Sequence, residues 1–310
     1  MPRRALVTGG AGFIGSHVVD ALLREGAAVS VVDDLSTGEK ARVAPDAELF
    51  ELDIVDGEAL AALVRDLAPD AVYHLAAQSS VTVSVEDPGR DCATNVVGTL
   101  NVLRAAGAVS APVVFTSTGG ALYGDGAPRP TPESQIPAPL SPYGASKWAG
   151  EAYVNTWSLS SGIPHAVLRL GNVYGARQSP HGEAGVVAIF TGKLYEGVSP
   201  VLYGHGRPTR DYIYIDDVVA AVLAASGTRG TFNIATGVET SVADIWTGLC
   251  AAAGVDAEAQ LAELRPGELQ HSCLDASRAR AELGWRARTA IGEGLARSYE
   301  ALTAELAAAR

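Results

Sequence analysis

The sequence predicts an α/β fold: a doubly wound parallel sheet followed by a smaller, mixed α/β lobe. Three observations lead there. Strand-like apolar runs alternate with helical patterns from residue 4 to residue 170, the βαβ repeat that builds a parallel sheet. The first two strands flank a glycine-rich turn that opens onto a helix. After Gly171 the elements become short and mixed, which marks a change of lobe. The expected division is residues 1–170 and 171–310, partly interwoven.

Composition agrees. The 310 residues are 47% hydrophobic and 19% charged, with 34 glycines, which suits an α/β enzyme and argues against disorder. A net charge of −12 argues against a nucleic-acid groove or an anionic membrane surface. Cys92, Cys250 and Cys273 are scattered, which suggests neither a disulfide framework nor a metal site and fits a reducing cytoplasm. The N-terminus is too short in apolar residues for a secretory signal, and no apolar run reaches membrane-spanning length.

In chain order, residues 4–8 read as a buried strand. Gly9-Gly10-Ala11-Gly12-Phe13-Ile14-Gly15 follow, then helical spacing through Val18, Val19, Ala21, Leu22 and Leu23, then a second strand over 27–33. This is the context of a dinucleotide site. Gly9 permits the tight turn, Gly12 the approach of a pyrophosphate, and Gly15 the packing of helix on strand. The helix start, with Phe13 and Ile14, offers free N–H groups to phosphate. Asp33 ends the second strand, placed to accept from an adenosine ribose. Asp34 follows it rather than an arginine, which favours NAD over NADP.

A third strand over 48–52 runs into Asp53-Ile54, which either flank an adenine or form a solvated strand end. The run 57–67 has helical spacing. The fourth strand, 70–74, leads into Leu75-Ala76-Ala77-Gln78, small residues that let a cofactor lie close to backbone. His74, inside an apolar run, reads as a packed histidine rather than a base. Residues 91–108 read as one long helix, with Asn95 in its first half either holding the helix that follows or standing as an ordinary polar position. The fifth strand, 112–117, ends in Ser117-Thr118, and hydroxyls at such a strand end face the ligand crevice. A proline-rich loop over 125–142 precedes the next helix, and residues 164–170 form strand six. Beyond it, helices are expected over 186–196, 216–226, 241–253 and 290–305, and strands over 211–215 and 231–234. The alanine-rich run 251–262 also reads as helical.

The helix after the proline-rich loop opens with Ser141-Pro142-Tyr143-Gly144-Ala145-Ser146-Lys147. Tyr143 and Lys147 stand four apart and so share a helix face. A cation beside a phenol favours the phenolate, a proton acceptor. Only Lys40, Lys147 and Lys193 of the 23 basic residues are lysine, so a lysine at this spacing carries some weight.

Taken together these segments resemble the extended short-chain dehydrogenase/reductases of the NAD-dependent epimerase/dehydratase family, nearest its UDP-glucose 4-epimerase branch. Further matching pieces are His74-Leu75-Ala76-Ala77-Gln78, Asn95-Val96-Val97-Gly98-Thr99, Gly171-Asn172-Val173-Tyr174-Gly175, Thr209-Arg210-Asp211-Tyr212, Arg265-Pro266-Gly267-Glu268 and Glu282-Leu283-Gly284-Trp285. The resemblance implies a Rossmann-type fold, bound NAD, a UDP-sugar substrate, and a homodimer formed through the helices of Asn95 and Tyr143. It implies Tyr143 as catalytic base and acid, and Lys147 as ligand of the nicotinamide ribose that lowers the phenol's pKa. It implies a strand-five hydroxyl as third partner. The glycine loop is shifted by one residue against the family pattern, which favours Thr118 with Ser117 as the alternative. Asn172, Arg210 and Arg265 are implied to hold the substrate diphosphate. Ser272 falls where a bulky tyrosine restricts the sugar's C2 pocket, so N-acetylated sugars are expected to fit; the neighbouring His271 reads as a loop histidine. The 4,6-dehydratase branch carries an Asp-Glu pair where this chain has Gly119-Gly120, which argues against that reaction. A decarboxylase, a 4-ketoreductase and a non-catalytic NAD-binding regulator are the other readings.

Overall fold

The computed structural model describes residues 2–180, 185–264 and 269–308. Its largest element is a seven-stranded sheet, parallel throughout. The first six strands are β1 (Arg4–Thr8), β2 (Ala28–Asp33), β3 (Glu48–Glu51), β4 (Ala71–His74), β5 (Val113–Thr118) and β6 (Ala166–Leu170). The short strands β7 (Asn172–Tyr174), β8 (Val201–Tyr203) and β9 (Thr209–Tyr214) follow. Then β10 (Gly230–Ile234) returns to the large sheet, before β11 (Glu239–Ser241) and β12 (Gln260–Ala262). The order across the sheet is β10-β6-β5-β4-β1-β2-β3. The order reverses between β1 and β4, so the ligand crevice lies beyond the carboxyl ends of those two strands.

Both faces of the sheet are buried, so its strands are almost continuously apolar. Leu6, Val72, Phe115 and Val167 point to one face, which is covered by α2 (Gly57–Leu67), α5 (Thr99–Ala108) and α6 (Pro142–Ser161). Val7, Val31, Tyr73, Val114 and Leu168 point to the other, covered by α1 (Phe13–Arg24) and α8 (Ile215–Ala224). Between β4 and α5 come α3 (Val81–Glu86), α4 (Pro88–Cys92) and a π-helical segment, Ala93–Gly98. The single helix expected over 91–108 is thus interrupted. Widened turns of this kind are frequent at functional sites.

The smaller lobe has a three-stranded sheet, β11-β9-β7, and the pair β12-β8. Around them lie α7 (Val186–Glu196), α9 (Val242–Ala253) and α11 (Ile291–Ala308), while α10 (Ser277–Leu283) packs on β10. The alanine-rich run 251–262 does not continue as helix. Gly254 takes a left-handed φ of 67° and stops α9, and β12 then pairs with β8. The Glu282-Leu283-Gly284-Trp285 segment is a lock. The Trp285 indole donates to the Asp217 carbonyl at 2.9 Å, and the buried Asp217 carboxylate accepts from the amides of Arg288 and Thr289.

Candidate active site

The glycine turn sits against the end of β4. Gly9 has φ +73°, and a Cβ there would lie 2.6 Å from the Ala76 amide nitrogen. A Cβ on Gly15 would collide with the Gly9 carbonyl. Only glycine lets the chain pass itself at these two points. Gly12 is the N-cap of α1 and provides no side-chain cap, so the first-turn amides at Phe13, Ile14 and Gly15 point into the crevice with no side chain to serve them. This arrangement fits a pyrophosphate. Leu75, Ala76 and Ala77 border the same space, half-buried.

Asp33 is buried at the end of β2. Its carboxylate accepts from the Ala11 amide and from the Leu35 amide, both at 2.9 Å, so it also fixes the glycine turn. Burial pushes its pKa up despite those two bonds. Asp53 is exposed and accepts from the Val55 amide at 2.9 Å, while Ile54 is buried under Gly98. Asn95, 1% exposed, is a junction. Its Oδ1 accepts from the Gln78 amide at 2.9 Å, and its Nδ2 lies within reach of the Gln78 carbonyl, Asp91 and Ser146. It therefore ties the end of β4 to α6, and works on the crevice through those groups. His74 bridges the hydroxyls of Thr8 at 2.7 Å and Thr99 at 3.0 Å. Burial holds its pKa near 3, so it stays neutral and structural.

Ser141 caps α6 by accepting from the Gly144 amide at 3.2 Å, and Pro142 takes the first helical position. This start aims Tyr143 and Lys147 at the crevice. The Thr118 hydroxyl, which accepts from the Ala121 amide at 3.2 Å, stands close enough to the Tyr143 phenol to favour its ionised form. Burial pushes the phenol up to about 12, Thr118 pulls it back in part, and Asp91 adds to the rise. The Lys147 ammonium is itself 3% exposed and lies 4.4 Å over the Phe115 ring. Burial brings it down to about 8, against the raising effects of Glu151 and Asp91.

Of the two strand-five hydroxyls, Thr118 is the one at Tyr143. Ser117 points to the opposite face of β5 and donates to Glu151 Oε1 at 2.5 Å. Asn172 opens β7, and its Oδ1 is buried with no hydrogen-bond partner. Gly120 faces it; a Cβ there would lie 3.1 Å from Oδ1, and one on Gly119 would strike Leu274. Larger side chains at these two positions would have to displace Leu274 and shift Asn172. Arg210, half-buried on β9, donates to the carbonyls of Thr209 at 2.9 Å and Gln270 at 3.3 Å. Arg265 lies outside the described residues.

Ser272 lines a shallow hollow together with Gly119, Gly120, Tyr123, Arg129 and His271. His271 is not a free loop residue: it pairs with the Thr209 hydroxyl at 2.9 Å, which donates to Glu239 at 2.5 Å. Asp211 organises this corner. It accepts from Thr236, Gly237 and Leu274, which joins β9 to the strand end of β10 and to the Ser272 segment. The sequence assigned no role to Glu151 and Arg169 and named Asp211 only within the Thr209–Tyr212 segment; Glu151, four residues past Lys147, carried a spacing that could have flagged it.

The model of the NAD dependent epimerase/dehydratase family matches residues 5–235. A UDP-glucose 4-epimerase of Mycolicibacterium smegmatis is 44% identical over 306 residues, 96% of this chain and 97% of that protein. The crystal structure of the Thermotoga maritima UDP-glucose 4-epimerase with UDP-glucose superposes with a TM-score of 0.95 at 43% identity, covering 98% of this chain and 99% of that one. The Thermus thermophilus UDP-glucose 4-epimerase in complex with NAD gives 0.90 at 42%, covering 96% and 98%. The family match takes in the glycine turn, the Thr118 strand end and the Tyr143 helix together, and the chain belongs to the NAD dependent epimerase/dehydratase family.

Proposed function

We propose that the protein interconverts UDP-glucose and UDP-galactose, and accepts their N-acetylated counterparts. The observation that carries the reaction type is the Thr118–Tyr143–Lys147 grouping at the mouth of the switch-point crevice. Likeness at 42–44% identity over nearly the whole chain to UDP-glucose 4-epimerases supports the substrate class. NAD, when bound, supplies the hydride acceptor and donor for C4 of the sugar and, in its oxidised form, a positive charge.

The chain's own residues do the rest. The amides at Phe13, Ile14 and Gly15 hold the pyrophosphate, with Gly9 and Gly12 clearing its path. Asp33 takes the adenosine ribose, Asp53 and Ile54 border the adenine, and Leu75, Ala76 and Ala77 line the floor. Lys147 donates to the nicotinamide ribose. Tyr143 takes the proton of the sugar's 4-hydroxyl and later returns it. Thr118 holds that hydroxyl and the phenol in line. Inversion requires the 4-keto ring to present the opposite face of C4 for the return of the hydride. A firm grip on the diphosphate by Asn172, Arg210 and Arg265, with loose contacts to the sugar, allows the turn. The small Ser272, where the resemblance sets a bulky tyrosine against N-acetylated sugars, supports acceptance of an N-acetyl group.

Purified protein given UDP-galactose without added cofactor is expected to form UDP-glucose and to release NAD on denaturation. No conversion, with no nicotinamide released, refutes the reading and favours a regulator. Accumulation of a 4-keto product instead indicates a dehydratase or ketoreductase.

A homodimer is supported by apolar side chains left exposed on α3, the π segment and α6: Val81, Val85, Val97, Trp148 and Tyr153. Sedimentation as a monomer that Trp148→Glu does not alter excludes that face as the interface. Among the described residues no helix is long and apolar enough to cross a membrane, and the three cysteines are unpaired, which suits a reducing cytoplasm.

A further inference from the structure

The Lys147 ammonium lies 4.4 Å from the centre of the Phe115 ring, over its face, and both side chains are buried. Among the described residues the ammonium donates no hydrogen bond and forms no ion pair. Its direct contact is therefore aromatic. The face of a phenyl ring carries the negative part of its quadrupole and attracts a cation, more strongly out of water than in it. An aliphatic side chain of the same bulk would fill the space and offer no such attraction.

The ring is fixed from three sides. Phe115 stands in register between His74 of β4 and Val167 of β6. The His74 ring is 5.4 Å away, tilted by 39°, and is itself pinned by the hydroxyls of Thr8 and Thr99. On the side of α6 stands Gly150, where a Cβ would lie 3.0 Å from Phe115 Cζ. Gly150 is three residues past Lys147 and seven past Tyr143, so the three share one stripe of the helix. The bare glycine lets α6 settle on the edge of the ring, and the Lys147 side chain lies over its face. One ring thus receives both the helix and its cation.

We propose that Phe115 is the positioning residue of Lys147: its ring face seats the ammonium, as a cation, at a fixed place on the stripe shared with Tyr143. This rests on the reading of Tyr143 and Lys147 given above. The titratable groups around Lys147 are Tyr143 and Glu151 on its own helix, Asp91 on α4 and His74 on β4. Glu151 is already paired with Arg169 at 2.6 Å, on the rung of β6 that Asn233 of β10 adjoins. Asp91 accepts from the side chains of Gln78 at 2.8 Å and Asn95 at 3.1 Å. His74 stays neutral and adds no rival cation. Burial brings the ammonium down to about 8, close enough to neutrality for a seat that favours the charged form to matter.

The chain contains three lysines, Lys40, Lys147 and Lys193. Full-length protein grown on lysine labelled with carbon-13 at Cε gives three side-chain signals to follow against pH, with Lys147 assigned by its loss in Lys147→Met. Phenylalanine carrying one, two or three ring fluorines, placed at position 115 alone, keeps the ring's shape while making its face steadily less negative. The Lys147 midpoint is expected to fall stepwise along this series, by about one pH unit in total, while Lys40 and Lys193 stay in place. Phe115→Leu should show a fall at least as large, and the alkaline limb of UDP-galactose conversion should move down with it. The fluorinated series carries the test where Phe115→Leu fails to fold. A Lys147 midpoint that does not respond to ring fluorination overturns the proposal, as does a fall in Phe115→Leu that the series does not share, since the ring then serves packing alone. If wild-type protein converts no UDP-galactose, the substrate reading fails, and the lysine titration still decides the role of Phe115.

Discussion

Replacing Thr118 with valine removes one hydroxyl and keeps the side chain's shape. Replacing Ser117 with alanine removes its neighbour's. The two differ in what they serve. Thr118 stands beside the Tyr143 phenol and favours its ionised form, so its loss acts on the proton transfer. A donor aimed at a reacting oxygen contributes about 3 kcal/mol at the transition state, roughly a hundredfold in kcat. Ser117 serves the buried Glu151 carboxylate at 2.5 Å, away from the phenol. A lost hydrogen bond to a buried charge costs about 1.5–3 kcal/mol of stability. Thr118→Val should therefore keep its Tm and lose about a hundredfold in kcat. Ser117→Ala should lose several degrees of Tm and less than about tenfold in kcat, since it leaves every group at the phenol in place. A spectrophotometric assay of UDP-glucose formation from UDP-galactose and a thermal melt measure both. The reverse pattern, with Ser117→Ala inactive and stable, would refute the assignment of the hydroxyls.

Three further outcomes are expected. Gly9→Ala forces a left-handed φ on alanine and drives its Cβ to 2.6 Å from the Ala76 nitrogen; NAD released on denaturation should fall well below one per chain, with a stability loss of about 1–3 kcal/mol. His74 binds a proton near 6.5 when unfolded but only near 3 when folded. Between those values the unfolded chain holds more protons, so stability declines as pH falls from 6.5 towards 3, and His74→Gln should flatten that part of a Tm-against-pH curve. Ser272→Tyr fills the small pocket; turnover of UDP-N-acetylglucosamine should drop about a hundredfold or more while UDP-glucose turnover stays within about tenfold. Equal losses on both substrates would remove Ser272 from the sugar pocket.

The sheet and the crevice were legible because glycine turns and apolar periodicity punctuate the first 170 residues. Residues acting through local spacing, such as Tyr143 with Lys147, were legible for the same reason. Other features depend on distant partners. Strand alternation places Ser117 and Thr118 on opposite faces but does not say which face meets the crevice; the packing of α6 decides that. The four-residue spacing put a cation beside the phenol, yet the phenol's acidity follows from burial, which only the assembled sheet creates. In the run 251–262, counting alanines outweighed one glycine, and Gly254 ended the helix. The π turn at Asn95 leaves no trace in the hydrophobic period. It goes with the Thr99 hydroxyl bonding the Asn95 carbonyl at 2.7 Å and with the Asn95 amide reaching across to Ser146.

The seventh strand of the large sheet, Gly230–Ile234, is made sixty residues after the sixth. During synthesis, a chain ending at residue 170 would expose the whole outer edge of β6, an open invitation to pair with other chains. It would also leave Arg169 without the Asn233 rung that backs it. The nascent protein thus has to deliver β7, β8, β9 and α7 before its first lobe can close. Pairings so far apart in sequence are slow to form. A gene cut at the apparent lobe boundary should therefore yield an aggregating fragment, whereas one cut after α8 and β10 retains a sheet with both of its natural margins.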